Sequence, residues 1–130
     1  HYSLGAQLPM PLLVSEGSVA PLEGEGMPVG LFPNVKYPTL SCALPQNFRL
    51  WLCSDGVLEY LSGRTLDGRL KELERLVLAC DDLAALRTSL SLGRLPEDDE
   101  ETISGHAPGY EELPDDLTIM TLSGFYHDEE

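Results

Sequence analysis

Basic side chains are absent from the last quarter of the chain. Residues 97–130 carry 12 of the protein's 22 acidic residues and no Lys or Arg, whereas residues 1–96 carry the other 10 acidic residues and all 8 basic ones. An acidic surface repels the phosphate backbone of nucleic acids, so the composition argues against direct nucleic-acid binding. The same surface suits bound cations or a basic protein partner.

Long apolar runs are also absent. No stretch reaches the roughly 18 apolar residues that a membrane-spanning helix needs, and residues 1–13 lack the basic start of a signal peptide. The three cysteines, Cys42, Cys53 and Cys80, lack metal-site spacing and lie among apolar residues. We therefore expect buried free thiols, no membrane partner and a cytoplasmic location.

The remaining composition is that of one folded domain with a real core, since 42% of the 130 residues are hydrophobic. Residues 12–22 predict a β-hairpin, because two apolar stretches flank the tight-turn sequence Ser-Glu-Gly. Further strands are predicted at residues 37–45, 48–53 and 117–122.

Two helices are predicted before the last strand. The apolar residues from Leu66 to Cys80 recur at helical spacing, and Asp67 is placed to cap the start of this helix. Residues 81–90 show a second apolar stripe. Residues 95–114 then form a long acidic loop of a kind that is often functional. This order predicts an α+β fold, with helices backing an antiparallel sheet.

Carboxylates stand at corresponding ends of two predicted strands. Asp55 follows the strand at 48–53, and Asp115 and Asp116 precede the strand at 117–122. If these strands are antiparallel neighbours, the carboxylates meet at one edge of the sheet, where their repulsion favours a cation such as Mg²⁺ or Mn²⁺. The alternative is that Asp55 only caps a turn or a helix, and that the Asp pair ends a solvated loop.

Three segments in order resemble the bacterial PPM-type (type 2C) protein phosphatases, in particular their SpoIIE and RsbU branch. They read GEGMPVGLFPN (24–34), FRLWLCSDGVLEY (48–60) and PDDLTIMTL (114–122), within a resemblance over about residues 12–122. It implies a PPM phosphatase-like α/β/β/α fold, an antiparallel β-sandwich flanked by helices, of which residues 1–130 are the C-terminal portion only. Several domains of this kind form the output half of response regulators. The chain therefore also resembles the C-terminal domain of an RssB-like response regulator.

By this resemblance, Asp55 and Asp115 are ligands of a binuclear Mg²⁺ or Mn²⁺ centre, with Asp116 as the alternative if the register shifts. The metals would orient water for attack on a phosphoserine or phosphothreonine protein substrate, such as an anti-sigma-factor antagonist or a sigma factor. The family's metal-bridging aspartate has no counterpart here, and GAQLPMP stands where Gly-His-x-Pro is frequent. We therefore expect residues absent from this chain to complete the centre.

A second interpretation is a catalytically inactive, phosphatase-like adaptor domain of a response regulator that binds a sigma factor or its regulators. The presence of both Asp55 and Asp115 favours catalysis, because an adaptor has no chemical need for either carboxylate. A homodimer is compatible with both interpretations.

Overall fold

Strands and helices alternate in blocks along the part of the chain that the computed structural model describes, residues 1–92 and 116–124. The strands form a single antiparallel sheet in which β1 and β3 are central, in the order β2-β1-β3-β4. The architecture is α+β, as predicted. The elements are β1 (Leu12–Ser15), β2 (Ser18–Pro21), β3 (Phe48–Cys53), a 3₁₀ helix (Asp55–Tyr60), α1 (Leu66–Ala79), α2 (Leu83–Leu92) and β4 (Ile119–Ser123).

The predicted hairpin is confirmed by the pairing of β1 with β2. The ladder closes with Ser15 opposite Ser18, so Glu16 and Gly17 form a two-residue turn. Their φ angles are +50° and +75°, and such a turn matches the right-handed twist of the two strands. Gly17 adopts this left-handed conformation at little cost because it has no Cβ.

The strands that carry the candidate carboxylates are neighbours. β3 pairs with β4 in antiparallel register, with Trp51 opposite Thr121 and Cys53 opposite Ile119. The end of β3 therefore lies beside the start of β4. This confirms the condition on which the convergence of the carboxylates depended.

Both helices cover one face of the sheet. α1 packs against β1 and β2, and α2 packs against β4. Trp51 points into this layer and is fully buried, as predicted. Each large apolar side chain buried here stabilises the fold by about 1.5–3 kcal/mol. No helix in the described ranges is both long and apolar enough to cross a membrane. The largest fully buried apolar side chains of this core are Trp51, Leu73, Leu86, Val57 and Val77.

The opposite face of the sheet is also apolar. Leu13, Leu50 and Leu122 form a row across three strands of this face, because they are register partners. Met120 lies in the next row, opposite Leu52. On β4, Met120 and Leu122 keep 55% and 51% of their surface exposed. The described residues therefore leave the β4 side of this face open.

The prediction of a strand at residues 37–45 is wrong. This segment makes a single bridge, in which the backbone groups of Leu40 and Tyr2 exchange two hydrogen bonds of 2.8 and 2.9 Å. Pro38, at the next hydrogen-bonded position of this segment, lacks the N–H that a ladder needs, so the pairing does not continue on that side. The predicted acidic loop at 95–114 lies outside the described residues.

Two smaller expectations are corrected. The cap of α1 is Thr65 and not Asp67, because the Thr65 hydroxyl accepts a hydrogen bond of 3.1 Å from the Gly68 amide. Asp67 lies in the first turn and pairs with Lys71 at 2.9 Å. The three cysteines are free, but Cys42 is exposed because the segment around it is not a strand.

Candidate functional site

Asp55 begins the 3₁₀ helix directly after β3, and its side chain is exposed. The N-cap position of this helix is occupied by Ser54 rather than Asp55. A capping role therefore does not account for the Asp55 carboxylate. Gly56 and Val57, the next two residues, are buried, so the backbone turns inward immediately after the exposed carboxylate.

Ser54 joins the two strand ends. Its amide donates a hydrogen bond of 2.9 Å to the Thr118 carbonyl, and its hydroxyl accepts one of 2.8 Å from the Thr118 amide. The hydroxyl also donates a longer bond of 3.3 Å to the carbonyl of Asp116. Because Ser54 directly precedes Asp55, these bonds bring Asp55 and Asp116 to the same edge of the sheet.

The structure brings together some of the predicted ligands but does not describe all of them. Asp55 and the exposed Asp116 lie at the joined strand ends. Asp115 lies outside the described residues, one position before Asp116. The ligand pair of Asp55 and Asp115 therefore stays a prediction. The structure describes the backbone at Asp55 and at Asp116, the residue after Asp115.

The chemistry of this edge fits a hard divalent cation in part. Asp55 and Asp116 offer carboxylate oxygens, which are the ligands that Mg²⁺ and Mn²⁺ prefer. Within residues 1–92 and 116–124, however, no group of three or more His, Cys, Asp or Glu side chains is placed to hold a metal ion. The described residues therefore do not form a complete metal site around Asp55.

The 3₁₀ helix that carries Asp55 is anchored from inside. Val57 is fully buried and Leu61, just past the helix, is 6% exposed; both belong to the core cluster. The Val57 amide donates a hydrogen bond of 3.1 Å to the Ser54 carbonyl, which fixes the first turn. The same burial pattern keeps Asp55 on the outer side of the segment.

The cysteine beside this edge is not suited to act as a nucleophile. Cys53 is 5% exposed, and burial raises the pKa of its thiol to about 11. The thiolate is the reactive form of cysteine, so a neutral, buried thiol is inert at physiological pH. Cys53 therefore contributes to the core.

Sequence reasoning missed two residues that hold this edge. Ser54 forms the junction described above, and its only sequence signal is its place between a strand and Asp55. Gln7 donates a hydrogen bond of 2.9 Å from its side-chain amide to the Cys53 carbonyl. Gln7 belongs to GAQLPMP, the segment in which the chain departs from the frequent Gly-His-x-Pro pattern, and this departure was the available signal.

A comparison with protein-family models places the chain in a family. The family model described as Stage II sporulation protein E (SpoIIE) matches residues 2–124. The match covers both strand ends and the described elements. No curated protein matches the chain.

Proposed function

The chain belongs to the SpoIIE family and is a PPM phosphatase-like domain, and from this premise we propose that it is a metal-dependent serine/threonine protein phosphatase. Its substrate would be a phosphoserine or phosphothreonine on a bacterial regulatory protein, such as an anti-sigma-factor antagonist. The observation that carries the proposal is the Ser54 junction, which holds Asp55 and Asp116 at one edge of the sheet.

Asp55 and Asp115 are the residues of this chain that would hold Mg²⁺ or Mn²⁺. A bound divalent ion of this kind supplies an activated water at neutral pH and stabilises charge that develops on the phosphoryl oxygens. The chain's own contribution is to orient ligands. Ser54 fixes the spacing of the two strand ends, and the buried Val57 keeps Asp55 directed outward.

The apolar outer face of the sheet supports the second part of the proposal, an α/β/β/α sandwich. A face built from Leu13, Leu50, Leu122 and Met120 is suited to pack against another sheet, because two sheets interdigitate their apolar inner faces. In this arrangement residues 1–130 are the C-terminal part of one domain. The second layer and the missing metal ligands come from polypeptide outside the described residues.

The test is Mn²⁺-dependent hydrolysis of a phosphoserine peptide by the full-length protein, comparing the wild type with Asp55→Asn. Asparagine keeps the size of the side chain but removes its charge, so we expect activity to fall at least about 100-fold. Asp67→Asn is the matched control, because Asp67 is an exposed aspartate that pairs only with Lys71 among the described residues. It should stay within about twofold of the wild type, as surface substitutions usually do.

Equal rates for the wild type and Asp55→Asn would contradict a phosphatase site at Asp55. Binding of a sigma factor or its regulator by a full-length protein without turnover would instead support the adaptor interpretation. A chelator provides an independent measurement, since removal of divalent metal should abolish turnover of the wild type.

A further inference from the structure

The side chain of Arg69 reaches from α1 to the segment that carries Asp55. Its Nε donates a hydrogen bond of 3.1 Å to the carbonyl of Gly63, and its Nη1 donates one of 3.3 Å to the carbonyl of Leu58. Leu58 belongs to the 3₁₀ helix, and Gly63 to the loop that joins this helix to α1. One guanidinium group therefore binds two successive parts of the same connection.

The carbonyl of Leu58 needs a donor from outside its own helix. A 3₁₀ helix of six residues has few internal hydrogen bonds, and the carbonyls of its last turn have no partner within it. A cation at this end also interacts favourably with the partial negative charge of those carbonyls. Val57 and Leu61 hold the inner side of the segment by burial, and Arg69 adds a polar attachment to α1.

The loop lies directly against the start of α1. Gly63 has a φ of +145°, and a Cβ added there would lie 3.1 Å from the Arg69 amide nitrogen and 3.2 Å from the Arg69 Cγ. The Thr65 hydroxyl closes the same turn by accepting from the Gly68 amide. A side chain at position 63 would be strained at this positive φ and would crowd the backbone and side chain of Arg69, so glycine suits the contact.

From these contacts we propose that Arg69 is a positioning residue for the Asp55 carboxylate, an inference that rests on the proposed function of that site. It fixes the far end of the 3₁₀ helix to α1, while Ser54 fixes the near end to β4. The orientation of Asp55 is thus set from both sides. Arginine suits this task because its planar guanidinium directs two N–H groups at separate acceptors. The lysine ammonium rotates freely and has no such fixed geometry.

The experiment uses the full-length protein with Arg69→Lys and Arg69→Gln. Arg75→Gln is the matched control, because Arg75 lies on the same helix, is exposed and pairs with Glu72 at 2.6 Å. The first readout is amide hydrogen exchange of residues 55–63 relative to β1 and β3, which requires neither metal nor turnover. The second is the Mn²⁺ concentration that half-saturates phosphatase activity.

Both Arg69 variants should exchange amides of residues 55–63 about tenfold faster than the wild type, with β1 and β3 unchanged, because the outer attachment is lost. Half-saturating Mn²⁺ should rise about tenfold, with activity at saturating metal within about twofold, as for other residues that orient metal ligands. Arg75→Gln should match the wild type in both readouts.

Unchanged exchange in residues 55–63 of both variants would overturn the role of Arg69. Faster exchange spread evenly over the sheet and α1 would also overturn it, because that pattern indicates general destabilisation. Arg69→Lys keeps the positive charge and the helix propensity. If Arg69→Gln does not fold, the exchange of residues 55–63 is compared between Arg69→Lys and the wild type. If even the wild type fails to hydrolyse the substrate, the proposed phosphatase function fails, and the exchange comparison still decides the role of Arg69.

Discussion

The hydroxyl of Ser54 accepts a hydrogen bond of 2.8 Å from the backbone amide of Thr118, one residue beyond the last pair of the β3–β4 ladder. A side chain here takes the place of a backbone acceptor at the point where the two strands separate. Asp55 leaves on one side of this bond and Asp116 on the other. This hydroxyl and the backbone bond from the Ser54 amide to the Thr118 carbonyl together hold the two acidic segments at a fixed spacing.

Ser54→Ala should weaken this edge of the sheet. The variant leaves the Thr118 amide without its side-chain acceptor, so we expect the free energy of unfolding to fall by about 1 kcal/mol. Half-saturating Mn²⁺ should rise as well, because the acidic segments are then joined by the backbone bond to the Thr118 carbonyl without the added hydroxyl bonds. Urea denaturation and a Mn²⁺ titration of activity measure the two effects.

Ser54→Thr is the matched variant, because it retains the hydroxyl and threonine is favoured in strands. It should restore both the stability and the metal response. If Ser54→Ala and Ser54→Thr behave alike in the Mn²⁺ titration, the hydroxyl does not set the spacing of the site.

The buried Cys53 predicts how stability changes at alkaline pH. Burial raises the pKa of its thiol from 9.0 to about 11, so the folded state holds this proton more tightly than the unfolded state. Below pH 9 both states are protonated and the effect is absent. As the pH rises from 9 to 11, only the unfolded state ionises, and the free energy of unfolding falls by about 2 kcal/mol.

Cys53→Ala removes this contribution. The variant is less stable overall because alanine leaves a gap in the core, but its decline between pH 9 and 11 should be shallower than that of the wild type. Chemical denaturation at several pH values measures both curves. Parallel curves would show that Cys53 does not cause the decline.

The open face of the sheet leads to a prediction about stability. A charge introduced on this face should destabilise the full-length protein more than a charge introduced at an equally exposed site elsewhere. In the full-length protein, Leu122→Asp should lower the free energy of unfolding by at least about 2 kcal/mol if a second layer covers this face. Leu83→Asp is the control, because Leu83 is similarly exposed (43% against 51% for Leu122) but lies at the start of α2. It should change stability by about 0.5 kcal/mol or less. Equal, small effects would argue against the sandwich.

Local chemistry explains which parts of the fold could be predicted. The hairpin follows from Glu16 and Gly17, whose turn geometry fixes the register of the residues around them. The burial of Trp51 follows from a strand with apolar neighbours. The antiparallel pairing of β3 with β4 was only a condition at the sequence level, because partners separated by more than 60 residues leave no local signal.

The wrong strand and the missed residues have another cause, since they depend on contacts that form only when the chain folds. Residues 37–45 have strand-like composition, but the only ladder contact described for them is the bridge between Leu40 and Tyr2. The roles of Arg69 and Gln7 depend on carbonyls that side chains reach only after folding. The position of Asp55 after a strand was predictable because strand ends are visible in sequence, whereas the contacts of Ser54, Gln7 and Arg69 were not.

The Glu16–Gly17 turn lies at the end of the sheet remote from Asp55, since Ser15 pairs with Phe48 at the start of β3. An added Cβ at Gly17 meets no heavy atom of the described residues within 4 Å. This turn is therefore an attachment point. A peptide tag inserted there, or a tether to a solid support, would leave the strand ends that carry Asp55 and Asp116 facing the bulk solution.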